Sequence, residues 1–418
     1  MVMPRLLASS MVLGLISSCS YVTNSFVIND FSGDPFPIQI DSSTGAVLVG
    51  FGAAGEAPRT AVLDVLSPFT LIDRGKAATP SINYPDVTLL GERMPNGPLD
   101  LPRAKLKEPQ VLTLHPCLDD ACTIGTPAAS RSFEALVGVS AFASDALRLR
   151  LATDQIFILP DVGGDELNRT RICDAVLPFP FRGGGVLVIG GTEISFGGWR
   201  IAIDTCLQPT PGASLQSGRG TDALLVASSA IGISLLGVSA YTRYREVFPT
   251  SPDLGTLPDE TVFLPSGPIT GKRVTIPSLA LVANSPSNPR APCRQVYAHH
   301  LLAARDCQVP GEADCPCGPD IAFCGVPALL ELAPSPGIDM LVVPDDTETL
   351  QALRTELRPD RPEVDGILGT DAIRTLELDI DYPHGRLLGR CTDGMACHAR
   401  PELYDPNERP AVASCIGP

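Results

Sequence analysis

Two stretches far apart in the chain run through the same parts in the same order. ALVGVSAFASDALRLRLATDQIFIL (135–159) and DGILGTDAIRTLELDIDYPHGRLL (365–388) each begin with apolar residues and reach a glycine, Gly138 or Gly369. Each then makes a short helical turn, enters a strand in which apolar and charged residues alternate, and comes back through a turn and a return strand. Leu147, Leu149 and Leu151 in the first and Leu376, Leu378 and Ile380 in the second recur with period two, the spacing of a half-buried strand. The copies also open alike. GAVLVGFG (45–52) precedes RTAVLDVLSPFTLID (59–73), and GGVLVIGG (184–191) precedes a further set of apolar strands. A chain that repeats such a unit is a duplicated β protein, and this bounds the fold more tightly than any single motif does. Asp64 and Gly138 are 138 − 64 = 74 residues apart, whereas any comparable start in the second half lies further from Gly369. The second copy therefore carries an insertion, placed at about 250–339, which is Pro-rich and holds a cysteine cluster.

Composition agrees with this reading. Gly 38 and Pro 41 punctuate short runs of Val, Ile and Leu, and 44% hydrophobic content is enough for sizeable cores. The net charge of −16 is spread along the chain, which favours solubility and disfavours a phosphate backbone as partner, so nucleic acid is excluded.

The N-terminus reads as a targeting segment. Arg5 gives a positive start, Leu6 to Ser18 is apolar and small but too short to span a bilayer, and ISSC ends at Cys19. That ending resembles the lipobox of bacterial lipoproteins. The resemblance implies removal of residues 1–18, a diacylglycerol on Cys19, residues 19–36 as a tether, and a bacterial cell-envelope location, outer-membrane or facing the periplasm, held to the membrane by lipid alone. Thirteen cysteines less Cys19 leave an even twelve, which fits six disulfides in an oxidising compartment. Cys117 with Cys122 and Cys391 with Cys397 are spaced to close small loops. Cys293, Cys307, Cys315, Cys317 and Cys324 are odd in number, so one of them pairs elsewhere. No cysteine pair has the C-x2-C spacing typical of a structural zinc site, and no metal or cofactor is expected.

The inward strand AVLDVLSPFTLID and the later ALVG and GILG segments resemble the two-lobed architecture of the pepsin and retropepsin superfamily of aspartic proteases. The most specific part is GILGTDAI followed by LELDIDYPHGRLL. The resemblance implies a mainly β, bilobal, pepsin-like double-ψ β-barrel fold with short helices. It divides the chain into a first lobe over 37–180, a second over 181–400 and a tail over 401–418. In that family each lobe carries D-T-G-[ST]. Two carboxylates a hydrogen bond apart share a proton, one form activating water and the other protonating the substrate carbonyl. Asp64 matches the catalytic position and Ser67 the fourth, but Val65 stands for Thr, losing the hydroxyl that interlocks the loops. Leu66 stands for Gly, where backbones approach closely.

The second lobe offers two registers. RIAIDTCLQP places Asp204 in the catalytic position, with Thr205 kept and Cys206 for Gly, but a Pro/Gly loop follows it. DALLVASSAIGISLLGVSAYTRYREVF (222–248) matches the first lobe's succession of strand, small-residue loop, strand and helix, and puts Ala227 or Ser228 where Asp belongs. The strand pattern favours the second register. The resemblance then implies a monomer without a working dyad whose inter-lobe cleft takes a peptide, protein or other ligand. An endopeptidase using Asp64 and Asp204 is the alternative, and a structural lipoprotein with a closed cleft is a third reading.

Other chemistry finds less support. GVSAF (138–142) and GVSAY (237–241) lack the second glycine of a nucleophile elbow and read as helix starts capped by serine. The five histidines have no metal spacing, and the glycine-rich runs do not open helices as a phosphate loop requires. Trp199 reads as packing.

Overall fold

The computed structural model describes residues 35–52, 59–67, 70–73, 88–90, 103–105, 110–112, 123–142, 145–160, 175–178, 184–189, 192–197, 200–210, 220–265, 267–282, 293, 329–356, 363–382, 386–392 and 396–400. The proposed signal over 1–18, the tether as far as residue 34, Cys19, Cys117, Cys122, Trp199 and the tail over 401–418 lie outside them, as do Cys307, Cys315, Cys317 and Cys324. The last two residues assigned to the tether, Pro35 and Phe36, belong instead to a strand paired with Phe157 and Ile156.

Strands dominate, as Val, Ile and Leu at alternate positions require. The first lobe is built on a ψ motif. The inward strand Arg59–Leu63 and the return strand Leu71–Asp73 are joined by a loop, and the threading strand Ala135–Val137 passes between them. It runs parallel to the inward strand, with Leu136 opposite Val62 and Val137 opposite Leu63, and antiparallel to the return strand, with Leu136 opposite Leu71. The second lobe repeats the motif with inward strand Thr221–Ala227, return strand Ser234–Gly237 and threading strand Gly366–Leu368. There Ile367 faces Val226 and Leu368 faces Ala227, while Leu235 and Ile367 pair antiparallel.

The two motifs superpose residue by residue. Leu63 corresponds to Ala227, Val137 to Leu368 and Leu71 to Leu235. Even the loop hydrogen bonds recur. Asp64 N donates to the Val137 carbonyl and Ser228 N to the Leu368 carbonyl, both at 2.9 Å, and Val139 N reaches Ser67 O as Thr370 N reaches Ile231 O, both at 2.8 Å. The hydroxyl of Thr70 accepts from Gly138 N at 3.2 Å, and that of Ser234 accepts from Gly369 N at 3.0 Å. The duplication read from the sequence is therefore a structural pseudo-twofold.

A glycine after the first threading strand and one at the end of the second lobe's return strand open helical segments. Gly138 precedes the 3-10 turn Val139–Ala141, and Gly237 precedes the helix Val238–Val247. The expected serine cap in GVSAY is replaced by that glycine. Ser239 lies inside the first turn and gives both its N–H and its hydroxyl to Asp345, at 2.9 Å each.

The lobes meet edge to edge. Asp145–Arg150 pairs antiparallel with Leu376–Asp381, so the closing strands of the two copies join in one sheet with their return strands Gln155–Pro160 and Arg386–Cys391 outside them. Leu147, Leu149, Leu376, Leu378 and Ile380 face one shared core, together with Val65, Val137, Leu225 and Leu368. Within the stretch 250–339, the strands Asp259–Leu264, Gly267–Ile276 and Ser278–Val282 are woven into the second lobe's sheet, against one another or against Ile338–Val343 and Ala202–Gln208. Among the described residues two disulfides tie this lobe, Cys206–Cys293 and Cys391–Cys397. The second closes the small loop expected from its spacing.

Candidate functional site

The ψ motifs bring their loop segments 64–67 and 228–231 together at the pseudo-twofold axis. Asp64 and Ser228 occupy equivalent positions there, one residue beyond Leu63 and Ala227. They also touch. The Ser228 hydroxyl donates to Asp64 Oδ1 at 2.9 Å, the same oxygen accepts the Leu66 N–H at 3.0 Å, and Ala230 N–H donates to Ser228 Oγ at 3.2 Å. Both residues are buried. Burial pushes the Asp64 carboxyl above its ordinary 3.8, against the Leu66 amide, the Ser228 hydroxyl, the Arg200 guanidinium and the Ser229 amide, which all favour the charged form. Tyr382, buried nearby, has its phenol pushed up by burial and then by the Asp64 charge.

The interlock between the loops, expected to be lost with Val65, survives in one direction. Ser229, equivalent to Val65, donates its hydroxyl to the Leu63 carbonyl at 2.7 Å and accepts the Val65 N–H at 3.1 Å. Valine can return neither bond, so this interlock is made from the Ser229 side only.

Leu66 does not disturb the turn. It packs against a second-lobe cluster that includes Ala202, Leu224, Val226 and Ile231. Its equivalent, Ala230, sits among the first-lobe residues Ala46, Leu48, Val62, Phe133 and Leu136. Each loop thus places its third residue in the other lobe's core. Arg200, buried at the start of the second lobe, donates to the Leu66 carbonyl. The turn at Thr44 and Gly45 lies against Gly232, whose N–H donates to Thr44 O at 2.8 Å, and Val47 N–H reaches Ser229 O at 2.8 Å. A Cβ on Gly45, where φ is +69°, would stand 2.2 Å from Gly232 Cα, so this approach requires glycine.

Asp204 lies elsewhere. It sits on Ala202–Gln208 opposite Leu224, four residues before Ser228 on the neighbouring strand, on the order of 13 Å along it. Burial, and then the charge of Asp222, push its carboxyl from 3.8 to about 6. The residue that the fold brings to Asp64 is Ser228. Among the described residues no three His, Cys, Asp or Glu side chains are grouped to hold a metal ion, and no helix is long and apolar enough to cross a membrane.

Sequence reasoning reached Asp64 and left its counterpart open between Asp204 and the favoured Ala227 or Ser228; the structure puts Ser228 there. It missed Ser229 and Arg200. The signal for Ser229 was present in the alignment of DVLS with SSAI, where the hydroxyl missing at Val65 reappears one lobe later.

Strand pairing defines the class as a bilobal, mainly β fold with one ψ motif in each lobe. No protein-family model matches the sequence, and no curated protein matches it. Solved structures do match. An aspartic proteinase from Irpex lacteus is 12% identical over 87% of this chain and 99% of its own, with a TM-score of 0.38. Basic 7S globulin from soybean is 12% identical over 86% and 95%, with a TM-score of 0.39. Conglutin gamma from lupine seeds is 10% identical over 86% and 95%, with a TM-score of 0.41.

Proposed function

We propose that this chain is a non-catalytic protein of the aspartic-protease type that binds a peptide or other extended ligand between its lobes, while a lipid on Cys19 holds it to a cell envelope. One observation carries the non-catalytic part: the position equivalent to Asp64 is Ser228, hydrogen-bonded to it at 2.9 Å. A shared-proton dyad needs two carboxyls in contact, so that one gives a proton to the substrate while the other takes one from water. A serine hydroxyl does not ionise near neutrality and cannot exchange those roles. The groove between two lobes does not depend on the dyad, and ligand binding can outlast catalysis on the same fold.

The test is cleavage of a mixed-peptide library at acid and neutral pH by the wild-type chain, Asp64→Asn, Asp204→Asn and Ser228→Asp. No cleavage by the wild type is expected. Cleavage that disappears in both Asp64→Asn and Asp204→Asn would establish the competing reading, a peptidase using those two carboxylates. Cleavage gained only in Ser228→Asp would support the assignment of Ser228 to the second catalytic position. For the anchor, metabolic labelling with a fatty-acid analogue is expected to mark the wild type and to leave Cys19→Ala unmarked.

A further inference from the structure

The closing strands that join the lobes carry a charge pattern that the function above does not use. In Asp145–Arg150 and Leu376–Asp381 the leucines and Ile380 face the shared core, and the alternate residues form cross-strand pairs on the other face. Arg148 lies opposite Asp379 and makes a bidentate contact, Nε to Oδ1 and Nη2 to Oδ2, both at 2.6 Å, with the residues only 4% and 2% exposed. Arg150 lies opposite Glu377 with Nε 2.9 Å from Oε1, and the same Glu377 oxygen is 3.6 Å from Arg148 Nε.

The hairpins show where the pseudo-twofold falls. Arg150 pairs with Gln155 in one copy and Asp381 with Arg386 in the other, so Arg150 corresponds to Asp381 and Arg148 to Asp379. Arg148 and Asp379 are therefore equivalent residues that face each other on the axis itself. A self-pairing strand would place each such residue opposite its own copy. Two first-lobe strands would set Arg148 against Arg148, both buried. Two second-lobe strands would set Asp379 against Asp379 and Glu377 against Asp381 on both sides. A buried charge without its counter-ion is costly, and a like charge opposite it costs more.

We propose that these strands form a selective interface which accepts only the opposite half of this chain, its own or that of a second copy, and rejects the same half. Duplication alone would leave two interchangeable edges. The substitution of opposite charges on the axis removes that ambiguity while the apolar face stays common to both copies. This inference does not depend on what the cleft binds.

The experiment uses full-length chains refolded from urea with disulfides intact. Arg148→Asp makes both axial positions acidic, and Asp379→Arg makes both basic. Each alone is expected to lose most of the wild-type yield of folded monomer. The double variant R148D/D379R is expected to regain it. The two single variants refolded together are expected to give a one-to-one dimer of twice the monomer mass, in which each lobe finds its complement in the other chain. Light scattering after size exclusion reads all three results. A second, neutral variant, Arg148→Met with Asp379→Leu, keeps the interface apolar and is expected to fold but to lose discrimination, giving a larger fraction of oligomers than wild type at the same concentration. Single variants that refold to monomer like the wild type, or a neutral variant that refolds to monomer alone, would overturn the proposal.

Discussion

At the scale of the residue, the junction depends on side chains that are small changes from a symmetric pair. Ser229 makes two inter-lobe bonds with one hydroxyl, so Ser229→Ala removes both and leaves the Val65 N–H and Leu63 carbonyl buried without that partner. A loss of about 1–3 kcal/mol in urea unfolding is expected, from the cost of unsatisfied buried groups. Valine at the equivalent position shows that one lobe already does without the hydroxyl, which is why the text of the loop alone suggested that the interlock was gone. Asp204 gives a prediction in pH. Its folded pKa, about 6, lies above its ordinary 3.8, so the folded state holds the proton more tightly than the unfolded one. The stabilisation is full below pH 3.8 and is lost as pH rises through about 6. Asp204→Asn should flatten that part of the stability profile and raise stability at neutral pH by on the order of 3 kcal/mol. An Asn variant with an unchanged slope between those pH values would show that Asp204 is not the group responsible.

At the scale of the element, the ψ motifs were the most legible part of the chain. An apolar run ending in glycine, recurring after an interval, could be read because a threading strand is buried on both faces and needs its apolar residues in sequence. What could not be read was how each loop uses the other lobe. Leu66 looked like an obstacle because close backbone approach favours glycine, yet the approach that requires glycine is at Gly45 and Gly232, and Leu66 points into an apolar cluster of the second lobe. The strength of the thread can be probed at Gly366, where an added Cβ would stand 2.0 Å from the Leu235 carbonyl oxygen of the return strand. Gly366→Ala should therefore destabilise by about 3 kcal/mol or more, since overpacking against backbone cannot be relieved by a rotamer change. In the first lobe the same position is already Ala135. The two disulfides should also separate by loop length. Cys206–Cys293 joins residues 87 apart and Cys391–Cys397 residues 6 apart. In the chain-entropy picture, removing the first costs about 4–5 kcal/mol and the second about 2. Paired Cys→Ser variants in thermal unfolding would measure the difference.

At the scale of the whole molecule, alternation and repetition revealed that there were two lobes, and strand order then fixed which residues meet between them. The opposite charges in LRLR and LELD were visible in the sequence, but only the pairing of Arg148 with Asp379 shows that they face each other. The reciprocal placement of Leu66 and Ala230 has a thermodynamic consequence. Each lobe completes its apolar core with a residue borrowed from the other, so neither can melt without stripping part of its neighbour's interior. Two-lobed proteins whose halves are merely docked unfold in separable steps. Here heating should give one calorimetric transition whose van't Hoff and calorimetric enthalpies agree. Leu66→Gly, which withdraws one of the borrowed residues, should split or broaden that transition before it abolishes either lobe. The two copies would then be, for the purposes of stability, a single cooperative body.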